Sequence, residues 1–159
     1  MPYFKIITIK KELLKLFSFD KEMKIKDDRP HLVVIKLNYK NNTQEFAIPI
    51  VSNVKRNVRF KYKLPKRPST KKGYVHAIHY EKMIPIEKTY YGYGYSINKT
   101  ILKFIKNNFS DIYQKAQDYL YFYEKNKSDK NIIKDIKFST DIDEMIRILE
   151  KNLDNKKWK

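Results

Sequence analysis

LVVIKLNYKNNTQEFAIPIV, residues 32–51, is the stretch on which the fold of this chain turns. It is β-branched and apolar up to Tyr39, Lys40-Asn41-Asn42 is a turn signal, and residues 44–51 run back as a second strand, so a β-hairpin is expected. Downstream, residues 58–64 alternate: Val58, Phe60, Tyr62 and Leu64 take one face, Arg59, Lys61 and Lys63 the other, as in a half-buried strand. Residues 65–73 form a loop rich in Pro, Ser, Lys and Gly. Residues 74–86 are strand-like again, with Pro85 marking an edge or a bulge. Upstream, residues 3–9 read as a short apolar strand and residues 10–19 as a helical turn or two. Residues 24–30 are mostly polar and end in Arg29-Pro30, which stops any helix.

The character changes after Tyr95. Ile97, Ile101, Leu102, Ile105 and Phe109 keep helical spacing, and Ser110 is placed to cap a second helix over residues 111–127, with Ile112, Ala116, Tyr119, Leu120 and Tyr123 on one side. A last helix is expected over residues 141–155, capped by Ser139 or Thr140, with Ile142, Met145, Ile146, Leu149 and Leu153 inward. A β-rich half, residues 1–95, thus precedes a helical half, residues 96–159. That order predicts an α+β fold with helices packed on an antiparallel sheet or a partly open barrel. A length of 159 residues suits a single domain.

The formal net charge is +17, from 35 Lys and Arg against 18 Asp and Glu, which attracts polyanions, with nucleic acid first and an anionic membrane second. Lysine, asparagine and isoleucine are also what an AT-rich genome favours, so arginine is the better witness. Of the five arginines, four (Arg29, Arg56, Arg59, Arg67) lie within the first 67 residues. The absence of cysteine excludes disulfides and thiolate metal sites. No secretory signal and no long apolar span is present, so the expected compartment is the cytoplasm.

Residues 46–80 contain no Asp or Glu, but nine basic residues and both His76 and His79. On a strand, Arg59, Lys61 and Lys63 would stand about 6–7 Å apart on one face, a spacing suited to the phosphates of an extended single strand. The alternative is a solvated basic face. Tyr62, Tyr74, Tyr80 and the run Thr89-Tyr-Tyr-Gly-Tyr-Gly-Tyr95 lie among or just after these cations, where rings could stack on splayed bases. For the tyrosine run, ordinary packing at the junction of sheet and helices is the stronger reading. His76 and His79 suit acid–base work near neutrality. Their spacing puts them on opposite faces of a regular strand, so at most one shares a site, and neither they nor any nearby group completes a zinc shell. Ser52, Asn53 and Lys55 offer hydroxyl, amide and ammonium donors at a strand end, suited to the oxygens of a phosphate as charge builds on it.

Arg29-Pro30, Phe46-Ala-Ile-Pro-Ile-Val-Ser-Asn53 and His76-Ala-Ile-His-Tyr-Glu-Lys-Met-Ile-Pro-Ile86 together resemble the ToxN/AbiQ family, the endoribonuclease toxins of type III toxin–antitoxin systems. The last of these motifs is most similar to the TenpN branch. The resemblance covers residues 29–86 by motif and the helical remainder in character only. It implies a curved antiparallel sheet related to the MazF/Kid toxins and metal-independent RNA cleavage. A 2′-hydroxyl attacks the adjacent phosphorus, leaving 2′,3′-cyclic phosphate and 5′-hydroxyl ends. It implies as well a small repeated antitoxin RNA that the toxin processes and then binds in a closed protein–RNA assembly, with roles in phage defence by abortive infection and in plasmid maintenance. Ser52 matches the family's active-site serine. Lys55 matches its nearby lysine with one extra residue between them, which leaves Lys55 and Arg56 both open for that role. Val51 stands where the family has a threonine.

The leading expectation is therefore an RNA-cutting enzyme without cofactor or metal. Ser52 and Lys55 would hold the scissile phosphate, one of His76 and His79 would assist proton transfer, and Arg29, Asn53, Arg56, Arg59, Lys61, Lys63, Arg67, Lys71, Lys72, Tyr80 and Lys82 would bind RNA. A non-catalytic RNA- or DNA-binding module is the alternative. A peripheral membrane protein fits least, because Asp111, Asp118, Glu124 and Asp143 interrupt its basic helices.

Overall fold

The central hairpin joins β2 (His31–Tyr39) to β3 (Asn42–Lys55) in antiparallel register, with Tyr39 opposite Asn42 and only two residues in the turn. Those residues, Lys40 and Asn41, both have positive φ (51° and 65°), the paired left-handed geometry whose twist matches the strands it connects. In this computed structural model the described residues are 4–23 and 29–157. The expected strand start at Tyr3, the polar stretch 24–28 and the side chain of Leu153 lie outside them.

Around the hairpin, β1 (Phe4–Ile9), β4 (Lys61–Lys63), β5 (Tyr74–His79), β6 (Ile84–Pro85) and β7 (Tyr91–Gly94) complete an antiparallel sheet in the order β4-β5-β3-β2-β1-β7. β6 pairs with β3 through Phe46 opposite Pro85, a short partner in which proline tolerates the edge position. The sheet is open, with β4 and β7 at its edges. β3 is 14 residues long and outruns β2: the last β2 pair is His31 with Pro49, Ile50 N–H still donates to the Pro30 carbonyl, and Ile50 to Lys55 then pair with β5 alone.

One large cluster places Ile105, Phe109, Ile112, Ala116, Tyr119, Leu120 and Tyr123 of α2 (Lys99–Asn107) and α3 (Phe109–Asn126) against Leu32, Leu37, Phe46, Ile48 and Ile78 of the sheet. A second gathers α1 (Lys11–Leu16), β1, β6 and α4 (Ile142–Lys157) around Leu13, Phe17, Ile84, Ile86, Met145 and Leu149. Where β2 is bulged between Val34 and Leu37, the buried Gln117 amide completes the neighbouring backbone, accepting from Asn38 N–H (2.9 Å) and donating to its carbonyl (2.8 Å). Asp143 ties the hairpin tip to the helices, binding Tyr39 Oη at 2.9 Å, Lys40 Nζ at 2.9 Å and Lys127 Nζ at 2.6 Å.

The α+β class, the hairpin and the β-then-helix order are as expected. Several details differ: β3 runs on to Lys55, past the expected end at Val51, and the expected strand 74–86 is split into β5 and β6 by a 3₁₀ turn at Tyr80–Lys82. β4 covers only Lys61–Lys63 of the expected strand 58–64, because the chain turns at residues 55–58, with Val58 N–H on the Lys55 carbonyl. α3 begins at Phe109 from an Asn108 cap, which leaves Ser110 inside the first turn. Asp141, not Ser139 or Thr140, caps α4 by accepting from Glu144 N–H; both hydroxyls are buried and donate instead to the carbonyls of Ile136 and Met83. The tyrosine run is largely structural: Tyr90 is buried, Tyr91 donates to the Glu45 carboxylate, and a Cβ on Gly92 would stand 2.8 Å from the Thr8 carbonyl oxygen of β1. Among the tyrosines of the run, Tyr93 alone is largely open, at 87% exposed.

Candidate active site

The site grows from an irregularity in β3. Val51 faces Ala77 and Val54 faces Val75, so three steps on β3 match two on β5 and one extra residue is absorbed at Ser52-Asn53. Such a bulge bends its strand and redirects the side chains on it. The loop 65–73 is laid over it and pinned. Ser69 Oγ donates to Ser52 Oγ (3.2 Å), Asn53 Nδ2 donates to the Ser69 carbonyl (3.2 Å), and Asn53 Oδ1 accepts from Lys71 N–H (2.7 Å). Gly73, with φ +88°, lets the chain leave this loop into β5, a conformation that costs glycine little.

Two hollows flank the bulge. The smaller, about 380 Å³, is lined by Arg29, Pro30, Ile50, Val51, Ser52, Asn53 and Arg67. The larger, about 490 Å³, is a cleft between the β3–β5 end of the sheet and the segment before α4. Val51, Asn53, Lys55, Asn57 and His79 form one wall, Lys134, Asp135 and Phe138 the other, and Glu22, Arg29, Glu81 and Lys82 also line it. Arg29, Val51 and Asn53 border both. Ser52 therefore opens on one hollow and Lys55 on the other, instead of converging on a single cavity.

His79 and His76 part company as the strand period requires. His76 is 2% exposed, with Nδ1 on the Pro65 carbonyl at 2.8 Å and Nε2 buried without a partner. Burial lowers its pKa, with the Arg67 guanidinium adding to the effect and the Pro65 carbonyl opposing it. It is a neutral strut under the loop, remote from solvent. His79 lines the cleft, and its Nε2 lies 3.0 Å from Oε1 of Glu81, itself only 7% exposed.

The other expected contacts sort by what already holds them. Tyr80 is in the core, 1% exposed, donating to the Ile112 carbonyl, so it has no ring face to offer a base. Lys61 is turned back onto the carbonyls of Arg56 and Val58, and burial lowers its pKa. Arg59 precedes β4, pairs with Asp135 at 2.9 Å and stacks its guanidinium on Phe60 (4.8 Å) and Phe122 (4.7 Å). Lys82 donates to the Phe138 carbonyl at 2.6 Å. The even ladder of Arg59, Lys61 and Lys63 is thus not formed. Lys55, Arg56, Lys63, Lys71 and Lys72 are exposed around the bulge and its loop, and Arg67 is half-buried beside Ser52.

Glu81 lies one residue beyond the acid-free window that ends at Tyr80, and the 3₁₀ turn at Tyr80–Lys82, not a strand period, brings its carboxylate to His79. Glu22, Lys134, Asp135 and Phe138 come from segments far away in sequence, and no local pattern marks them. Among the described residues, no group of three His, Asp or Glu side chains is arranged to hold a metal ion, and no helix is long and apolar enough to cross a membrane.

No protein-family model and no curated protein sequence matches the chain. Solved structures do. AbiQ, a lactococcal anti-phage endoribonuclease belonging to the type-III toxin-antitoxin system, superposes with a TM-score of 0.65 over 96% of this chain and 98% of its own, at 15% identity. A structure from a bacterial antiviral system regulated by a processed non-coding RNA superposes with a TM-score of 0.57 over 90% of this chain and 95% of its own, at 17% identity. The chain shares the fold of these proteins over at least 90% of its length.

Proposed function

We propose that this protein is an endoribonuclease toxin of the type III toxin–antitoxin kind, cutting single-stranded RNA at the β3 bulge. The observation that carries the reading is the 490 Å³ cleft. It sets a histidine–carboxylate pair beside exposed cations, on a fold shared across 96% of the chain with an anti-phage endoribonuclease. RNA would run from the Ser52–Arg67 hollow into the cleft past Arg29, which borders both. Exposed Lys55, Arg56, Lys63, Lys71 and Lys72 would meet its phosphates, an attraction that weakens with salt.

In the reaction, the 2′ oxygen forms a bond to the neighbouring phosphorus while the bond from phosphorus to the 5′ oxygen breaks. His79 takes the 2′ proton, and the departing 5′ oxygen takes one from water, leaving 2′,3′-cyclic phosphate and 5′-hydroxyl ends. Ser52 and Lys55, approaching from the two hollows, hold the non-bridging oxygens as negative charge builds. None of these residues calls for a metal. The natural inhibitor would be a small repeated RNA that the toxin processes and holds in a closed assembly, acting in the bacterial cytoplasm against phage.

The test is incubation of purified protein with RNA in excess EDTA, followed by mapping of the ends. New 2′,3′-cyclic phosphates support the reading. Intact RNA bound tightly and in a salt-dependent way overturns it in favour of a non-catalytic RNA-binding module.

A further inference from the structure

We infer that Glu81 is a positioning residue that fixes which nitrogen of His79 carries its hydrogen; the inference rests on the cleavage reading above. Three carboxylates line the cleft, and two answer to cations: Asp135 lies 2.9 Å from Arg59, and Glu22 lies 3.9 Å from Lys82. Glu81 answers to an imidazole, with Oε1 3.0 Å from His79 Nε2, and both side chains are well enclosed, 10% and 14% exposed. The fold, not the pair, sets the carboxylate's place. The Glu81 carbonyl accepts from Thr140 N–H at 3.1 Å, and the turn around it is closed by Met83 N–H on the Tyr80 carbonyl at 3.0 Å.

The chemistry follows from donor counting. An ionised carboxylate only accepts, and a neutral imidazole has one N–H and one lone pair. A carboxylate enclosed this far needs a donor, so it selects the tautomer with hydrogen on Nε2. Nδ1 is then the lone-pair nitrogen, the form required of a group that takes the 2′ proton. Without Glu81 both tautomers are open to the ring, and the one with hydrogen on Nδ1 cannot act.

The experiment uses the full chain. Nitrogen-15 NMR of the His79 ring, without RNA, reads the tautomer in the wild type and in Glu81→Gln. Steady-state cleavage of a single-stranded RNA is measured for wild type, Glu81→Gln, Glu81→Asp, His79→Ala and the double variant His79→Ala/Glu81→Gln. Expected are an Nε2–H ring in the wild type and a mixed population in Glu81→Gln. That variant should lose about 2–10-fold in kcat with KM within about two-fold, because only the rings that still carry hydrogen on Nε2 can act. Glu81→Asp should recover part of the loss, and Glu81→Gln should cost nothing further once His79 is alanine. A wild-type ring protonated on Nδ1 overturns the inference by itself, whether or not any variant folds. So does an equal loss from Glu81→Gln in the two backgrounds. If the wild type cuts no RNA but its ring shows the expected tautomer and responds to Glu81→Gln, the cleavage reading has failed and the pairing stands.

Discussion

Acid should loosen this protein from the start of β2, where His31 is fully buried. Its Nδ1 is held by the Arg29 carbonyl at 3.0 Å, while its Nε2 is buried and unpartnered. Burial pushes the imidazole pKa down to about 4 from an ordinary 6.5; the Arg29 guanidinium works the same way, and the bond to the Arg29 carbonyl opposes both. Between those values the unfolded chain binds a proton at His31 and the fold does not, so stability falls as pH drops through that window and is restored above it. At 1.36 kcal/mol per unit, the full shift is worth about 3 kcal/mol, of which about 2 kcal/mol is lost between pH 7 and pH 5. The comparison is urea unfolding followed by far-UV circular dichroism at both pH values, in the wild type and in His31→Asn, which keeps a donor for the Arg29 carbonyl. The wild type should lose about 2 kcal/mol more than the variant on acidification. His76 has the same surroundings in both proteins and drops out of the difference. Equal losses would refute the reasoning.

Three shorter expectations concern the site. Asn53→Ala removes two hydrogen bonds that pin the loop 65–73, and should cost about 1–2 kcal/mol and speed amide exchange at Lys71 before the sheet is affected. Tyr80→Phe removes the hydroxyl's bond to the Ile112 carbonyl, which keeps its helical partner within α3, so thermal unfolding should show a loss of about 1 kcal/mol while RNA affinity in a filter-binding assay stays at the wild-type value. Lys55→Ala, at an exposed position, should leave the circular dichroism spectrum and melting unchanged and abolish growth arrest in cells lacking an antitoxin; undiminished arrest would remove Lys55 from the site.

How much of this was legible in the sequence depends on how local each feature is. The hairpin around Lys40-Asn41 and the buried faces of α3 and α4 follow from periodicity and turn chemistry, which act over a few residues. Most of the failures are matters of tertiary company. Residues 58–64 alternate like a strand, but the turn at residues 55–58 and the pull of Arg59 toward Asp135 confine pairing to Lys61–Lys63. Tyr80 sits beside a histidine in a basic window, yet its ring belongs to the core because the chain leaves β5 in a 3₁₀ turn there. A stripe of cations looks the same in sequence whether or not each already holds a carbonyl, as Lys61 and Lys82 do. The Phe138 wall of the cleft comes from a segment that no motif near β3 announces.

The bulge at Ser52-Asn53 bears on how such a protein changes over generations. It lies on the part of β3 that β2 no longer pairs, so a residue gained or lost there shifts nothing in the register between His31 and Pro49. The extra residue that the family resemblance implies between Ser52 and Lys55 would be a length change of the kind this place can absorb. Sites built on such slack can drift in spacing while the scaffold holds still. Two chains can then keep one shape while their sequences agree at only 15% of positions.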